Sequence, residues 1–111
     1  AIVVAAGRTH AARAAVAAEI AEHGLTVGET SGDGPAQAIH LPAGTIACSD
    51  DPELCAGADV ILVCVKSTDT ETAGKIIAKH ARADAVLLSF QNGVSNPERL
   101  RAAVPGRTVL A

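Results

Sequence analysis

The 111-residue sequence contains no tryptophan, tyrosine or methionine, and Phe90 is its single aromatic residue. Without aromatic side chains there is no platform on which successive bases can stack, which argues against single-stranded nucleic-acid binding. A cationic excess is also missing: nine Lys and Arg stand against twelve Asp and Glu, a net charge of −3. Attraction to a nucleic acid or to an anionic membrane surface therefore has no electrostatic basis. No apolar run approaches the ~18 residues of a bilayer-spanning helix. Cysteine is sparse. Cys48, Cys55 and Cys64 are odd in number and fit no zinc spacing, and His10, His23, His40 and His80 are scattered away from them. A metal site is not expected, and the cysteines read as reduced, mostly buried thiols of a cytoplasmic protein. Finally, the opening stretch AIVVAAGRTH has a single glycine, Gly7, and no Gly-x-Gly-x-x-Gly turn follows any strand.

What is present is aliphatic. Hydrophobic residues make up 49% of the chain, enough for the core of one small domain built from Ala, Val, Ile and Leu. Residues 2–6 read as a buried strand, followed by an Ala-rich helix that Thr9 can cap and Gly24 can stop. Residues 25–29, 37–41 and 45–48 read as short strands around a turn at SGDG, an antiparallel hairpin that returns to a main sheet. Asp51 and Pro52 then start a short helix. From Asp59 onward strand and helix alternate. ADVILVCVK is apolar enough to be buried on both faces of a sheet. A capping box, Thr68 with Glu71, opens a helix whose apolar face is Ala73, Ile76, Ile77 and His80. DAVLLSFQN is the next strand, Asn96 and Pro97 start the next helix, and RTVLA begins a last strand. Alternation with short connections predicts an α/β fold, a doubly wound parallel sheet carrying a short antiparallel hairpin insertion.

In such sheets ligands bind beyond the carboxyl ends of the strands. Three places qualify: Gly7-Arg8, Lys66-Ser67 and Gln91-Asn92-Gly93. Lys66 can neutralise a phosphate or carboxylate, or simply end a strand in solvent. Asn92 offers donors and an acceptor to a ribose, an amide or a substrate hydroxyl, and Gly93 permits a positive φ, although Asn-Gly is also an ordinary turn. Arg8 is either a surface residue before a helix or, if its strand is the second of a nucleotide-binding unit, a reader of a 2′-phosphate. In the latter case NADP is favoured over NAD. A phosphoacceptor domain would need acids at these strand ends, where the chain carries Lys66 and Asn92 instead.

Taken in order, GR, HGLTV, SGDG, CSDDPEL, ADVILVCVKSTDT and LLSFQNGVSNPERL resemble the N-terminal domain of the ketopantoate reductase (2-dehydropantoate 2-reductase) family across essentially the whole chain. The resemblance implies a Rossmann-type, NADP-dependent reductase that passes a hydride from the nicotinamide to the keto carbon of a 2-keto acid, giving pantoate for pantothenate biosynthesis. It implies cofactor contacts from Arg8, Lys66, Gln91, Asn92 and Gly93. Lys66 and Asn92 would also position the substrate, and the family's general-acid lysine would belong to a helical C-terminal domain.

That register puts AIVVAAGR on the family's second strand. Residues 1–111 are then expected to be an internal fragment, a partial NADP-binding domain whose first strand and C-terminal helical domain lie outside it. In the 3-2-1-4-5-6 strand order the absent strand is the central one. Its neighbours would either expose edges or close on one another. The isolated fragment is expected to be poorly stable, aggregation-prone, inactive and without tight NADPH binding. A related NADP-dependent dehydrogenase of a 2-keto or 3-hydroxy acid, or a non-catalytic dinucleotide-binding module, are the alternatives.

Overall fold

The computed structural model describes residues 2–6, 13–28 and 37–111. The backbone clusters into two compact units, residues 10–50 and residues 1–9 with 51–111.

In the first unit, helix α1 (Arg13–His23) leads into an antiparallel hairpin of β2 (Leu25–Gly28) and β3 (Ala38–Leu41). Gly24 ends the helix as expected. Its φ is +80°, its N–H donates to the Ile20 carbonyl at 2.8 Å, and an added Cβ would lie 2.0 Å from the Leu41 carbonyl oxygen. Only glycine combines that left-handed φ with so close a backbone approach. Thr26 and His40 face each other across the ladder and join through Oγ1 and Nδ1 at 2.9 Å. The expected strand at 45–48 does not form. A turn intervenes, in which the Thr45 N–H donates to the Pro42 carbonyl at 3.1 Å and Gly44 has φ +87°. That is the pattern of a type II turn, and residues 45–48 beyond it pair with no strand among the described residues. The hairpin is a separate two-stranded sheet. Thr9 and the SGDG turn lie outside the described residues.

The second unit holds a four-stranded, all-parallel sheet in the order β1-β4-β5-β6. Its strands are β1 (Ile2–Ala6), β4 (Val60–Cys64), β5 (Val86–Ser89) and β6 (Val109–Leu110). β1 pairs directly with β4, from Ile2 opposite Val60 to Ala6 opposite Cys64. β1 and β4 are thus direct neighbours. The physical reason is the row of N–H and C=O groups on a parallel strand, each of which needs a partner.

Helices α2 (Thr70–His80) and α3 (Asn96–Ala103) connect β4 to β5 and β5 to β6. The core gathers Ile61, Val63, Leu87 and Val109 from the strands and Ile77, Ala81, Leu100 and Val104 from the helical segments. Full burial of a side chain such as Leu100 contributes about 1.5–3 kcal/mol. Three expectations shift here. Burial along β4 alternates, with Ile61 and Val63 inside and Val60 and Leu62 only half-buried, so one face rather than both is closed. Cys64 consequently lies exposed, Cys48 is intermediate and only Cys55 is buried, where desolvation raises its thiol pKa. The buried face of α2 is Thr70, Gly74 and Ile77, while Ile76 is exposed.

Gly74 belongs to that face because α2 and α3 touch there. A Cβ at position 74 would stand 2.5 Å from the Ala103 Cβ. Alanine is intrinsically better in a helix by about 1 kcal/mol, but overpacking costs about 1–3 kcal/mol. We expect Gly74→Ala to lower the denaturant midpoint; a rise would show that the helices separate freely.

Arg107 closes the far end of α2. Its guanidinium donates to the carbonyls of Ala78 (3.2 Å), Ala81 (2.8 Å) and Arg82. The Ala78 carbonyl lies in the last turn of α2 and those of Ala81 and Arg82 just beyond it, at the negative end of the helix, where a cation is favoured. Asp51 caps the 3₁₀ segment Pro52–Gly57 as expected, its Oδ1 accepting from the Glu53 N–H at 3.0 Å. Glu53 in turn meets His80 Nδ1 at 2.5 Å, which ties this segment to α2.

Candidate functional site

Parallel strands connected by helices bring their carboxyl ends to one edge of the sheet, and this edge collects two loops. Lys66 and the 3₁₀ turn Ser67–Asp69 follow β4, and residues 90–95 follow β5. β4 and β5 are adjacent, with Val63 opposite Ser89, so the loops emerge side by side. The Phe90 N–H still donates to the Val63 carbonyl at 2.9 Å, the last rung before they part.

Beyond that rung the loops are held by side chains. Gln91 donates from Nε2 to the Val65 carbonyl (3.1 Å) and to Thr70 Oγ1 (2.8 Å), and its Oε1 accepts from Ser89 Oγ at 3.1 Å. Thr70, fully buried, donates to the Ser67 carbonyl at 3.0 Å and lies 3.3 Å from Asn96 Oδ1. Asn96, 1% exposed, donates from Nδ2 to the Asn92 carbonyl (2.6 Å) and to Ser67 Oγ (2.9 Å). Ser67 Oγ donates to the same Asn92 carbonyl at 3.2 Å. No buried side-chain N or O among the described residues lacks a partner. A satisfied buried polar network of this kind rigidifies what it joins.

Two helix starts differ from expectation in consequence. Asn96 is the first residue of α3 and Ser95 its N-cap, without a side-chain cap bond. The Asn96 Oδ1, the atom that would cap, accepts from Thr70 Oγ1 and Arg99 NH1 instead, both at 3.3 Å. The Thr68–Glu71 capping box is not formed: α2 begins at Thr70, its N-cap is Asp69, and no side chain caps it. Glu71 is drawn away by Arg99, which grips it in two-pronged fashion at 2.7 Å through Nε and 2.7 Å through NH2. This hydrogen-bonded guanidinium holds the Glu71 carboxyl below its ordinary pKa. The pair clamps α2 to α3 just behind the site.

The candidate residues fall out as follows. Lys66 and Asn92 are both exposed, on neighbouring loops of one edge. Only the main-chain carbonyl of Asn92 is used by the network. Gly93 has φ +107°, and a Cβ there would come within 3.2 Å of Asn96 Nδ2. Gln91 is half-buried, and both its Nε2 hydrogens are committed inward, so its side chain acts as a strut between the loops. Arg8 and Gly7 lie outside the described residues. Sequence reasoning placed Ser67 at this edge without a role, missed Thr70 and gave Asn96 only a capping role. The available signal was the run of small polar residues after two apolar strands.

An ammonium, an exposed amide and a glycine turn at the carboxyl edge of a parallel sheet suit a polar, anionic ligand such as a dinucleotide, and this donor set fits one. Among the described residues no three His, Cys, Asp or Glu side chains are grouped to hold a metal ion, and no helix is long and apolar enough to cross a membrane.

Comparison with known proteins agrees with this geometry. A 2-dehydropantoate 2-reductase of Halobacterium salinarum is 42% identical over 60 residues, which are 54% of this chain and 20% of the relative. The chain therefore spans about a fifth of that curated relative's length. The crystal structure of a PanE/ApbA family ketopantoate reductase from Ralstonia eutropha JMP134 is similar with 37% identity and a TM-score of 0.57, covering 64% of this chain and 23% of that one. Octopine dehydrogenase in complex with NADH and agmatine shares the fold, with 18% identity, a TM-score of 0.72, and coverage of 89% of this chain and 26% of that one. The mixed α/β architecture is thus shared with a ketopantoate reductase and with octopine dehydrogenase. The family model described as ketopantoate reductase PanE/ApbA matches residues 8–111, and the chain belongs to that family.

Proposed function

We propose that residues 1–111 form part of the Rossmann-type NADP-binding domain of a cytoplasmic 2-dehydropantoate 2-reductase, an enzyme of pantothenate biosynthesis. The observation that carries this reading is the stitched pair of strand-end loops presenting Lys66 and Asn92 at one sheet edge, within a chain matched by the family over 8–111. Bound NADPH would supply a hydride to the keto carbon, and a proton would go to the carbonyl oxygen. Arg8 would take the 2′-phosphate through charge-assisted hydrogen bonds. Lys66 would lie near cofactor and substrate as a compact positive charge suited to the acid's carboxylate. The Asn92 amide would orient both partners, and Gln91 and Gly93 would shape its turn.

The intact gene product, assayed with NADPH and NADH against 2-dehydropantoate and other 2-keto acids, is expected to oxidise NADPH fastest with 2-dehydropantoate. Preference for another keto acid would transfer the chain to a related dehydrogenase, a reading that the octopine dehydrogenase likeness supports. No turnover with any keto acid would overturn the enzymatic reading and favour a non-catalytic dinucleotide-binding module.

A further inference from the structure

We propose that Asn96 is a positioning residue, locking the Asn92–Gly93 turn to the loop that carries Lys66 and so setting the Asn92 amide for its work. The inference deepens the reductase reading and rests on it.

The argument starts from a cost. An asparagine buried to 1% exposure must satisfy its amide internally, since each unpaired buried polar atom is expensive. Asn96 does so with bonds that all serve the junction. Its two donors reach the Asn92 carbonyl and Ser67 Oγ, on different loops, and its oxygen lies 3.3 Å from both Thr70 Oγ1 and Arg99 NH1. Arg99 is itself clamped to Glu71. The helix does not require this side chain for a cap, which Asn96 does not provide. An apolar residue would fill the space without holding the turn.

The turn needs holding. Gly93 at φ +107° has a backbone with few steric restraints of its own, and Asn92 and Val94 on either side are exposed. Without a fixed carbonyl at Asn92, nothing in the described contacts restricts the rotation of that peptide. Misplacement of a positioned group by as little as ~1 Å can cost on the order of 10²-fold in rate. Thr70 extends the lock: its hydroxyl receives Gln91 and gives to Ser67, so loss of that single oxygen also frees the junction.

The test uses the intact gene product and the variants Asn96→Ala, Thr70→Val and Thr70→Ser, read by amide hydrogen exchange and by kinetics. Asn96→Ala and Thr70→Val are expected to accelerate exchange at residues 92–95 by about tenfold or more while the core strands stay protected. They are expected to lower kcat by a similar factor, and Thr70→Ser, which keeps the hydroxyl, is expected to restore both. Unchanged exchange at 92–95, acceleration spread evenly over the chain, or faster local exchange with kcat unaltered would each overturn the proposal. If the unaltered protein reduces no keto acid, the functional reading has failed, and local exchange alone decides whether Asn96 locks the turn. Should Asn96→Ala not fold, the Thr70 pair carries the same comparison.

Discussion

Replacing Arg8 with Ala in the intact gene product should raise the KM for NADPH by about 10- to 100-fold and change the KM for NADH by less than about threefold. The magnitude follows from hydrogen bonds to a charged group, worth about 1.5–3 kcal/mol, with each 1.4 kcal/mol a factor of ten. The selectivity follows from chemistry. The two cofactors differ only at the ribose 2′-position, and a guanidinium matches a phosphate with a planar fork of donors. A hydroxyl in the same place would be better served by an acid, and the stretch GRTH contains none. Arg8→Lys should recover part of the loss, because the charge is retained and the fork is not. Equal effects on both cofactors would remove Arg8 from 2′-phosphate recognition.

Replacing Asn92 with Ala should lower kcat/KM for the keto acid by about 10²- to 10³-fold, comparable to removing one preorganised donor from a reacting centre. The size of the effect depends on preorganisation, and the network behind the residue supplies it. The Asn92 carbonyl is held by Asn96 and Ser67, so the main chain is fixed while the side chain is left exposed for a ligand. Truncation should therefore cost activity with little loss of stability, because the Asn92 side chain makes no bond in that network. A folded Asn92→Ala enzyme with unaltered turnover and substrate affinity would exclude Asn92 from the site. Together with the Asn96 and Thr70 variants this separates a group that touches ligand from those that only aim it.

Much of the architecture was legible because it is local. The apolar runs of β4 and β5, the glycine stop after α1, and the Asp51-Pro52 start each depend on neighbours a few residues away. The strand–helix alternation also placed Lys66 and Asn92 at the carboxyl edge, and a parallel sheet then brings them to the same side. The failures share another origin. The Thr68–Glu71 box and the Asn96 cap were sound local readings that lost to partners 28 and 26 residues away: Arg99 takes the Glu71 carboxylate and Thr70 donates to the Asn96 Oδ1. A bidentate Arg–carboxylate pair is worth more than a cap that water can replace. The strand at 45–48 found no strand to pair with among the described residues.

From its own residues, the sequence determined an aliphatic α/β chain with polar residues at its strand ends and too little positive charge or aromatic surface for a nucleic acid. Tertiary structure alone decided which of those polar residues face solvent and which are spent inside. Gln91 and Asn92 are adjacent and chemically alike, yet Gln91 is a strut and Asn92 is exposed. Burial of Thr70 and Asn96 creates the difference, since a polar group removed from water must find its partner within the protein. Which partner it finds is a matter of distance in space, which spacing along the chain does not contain.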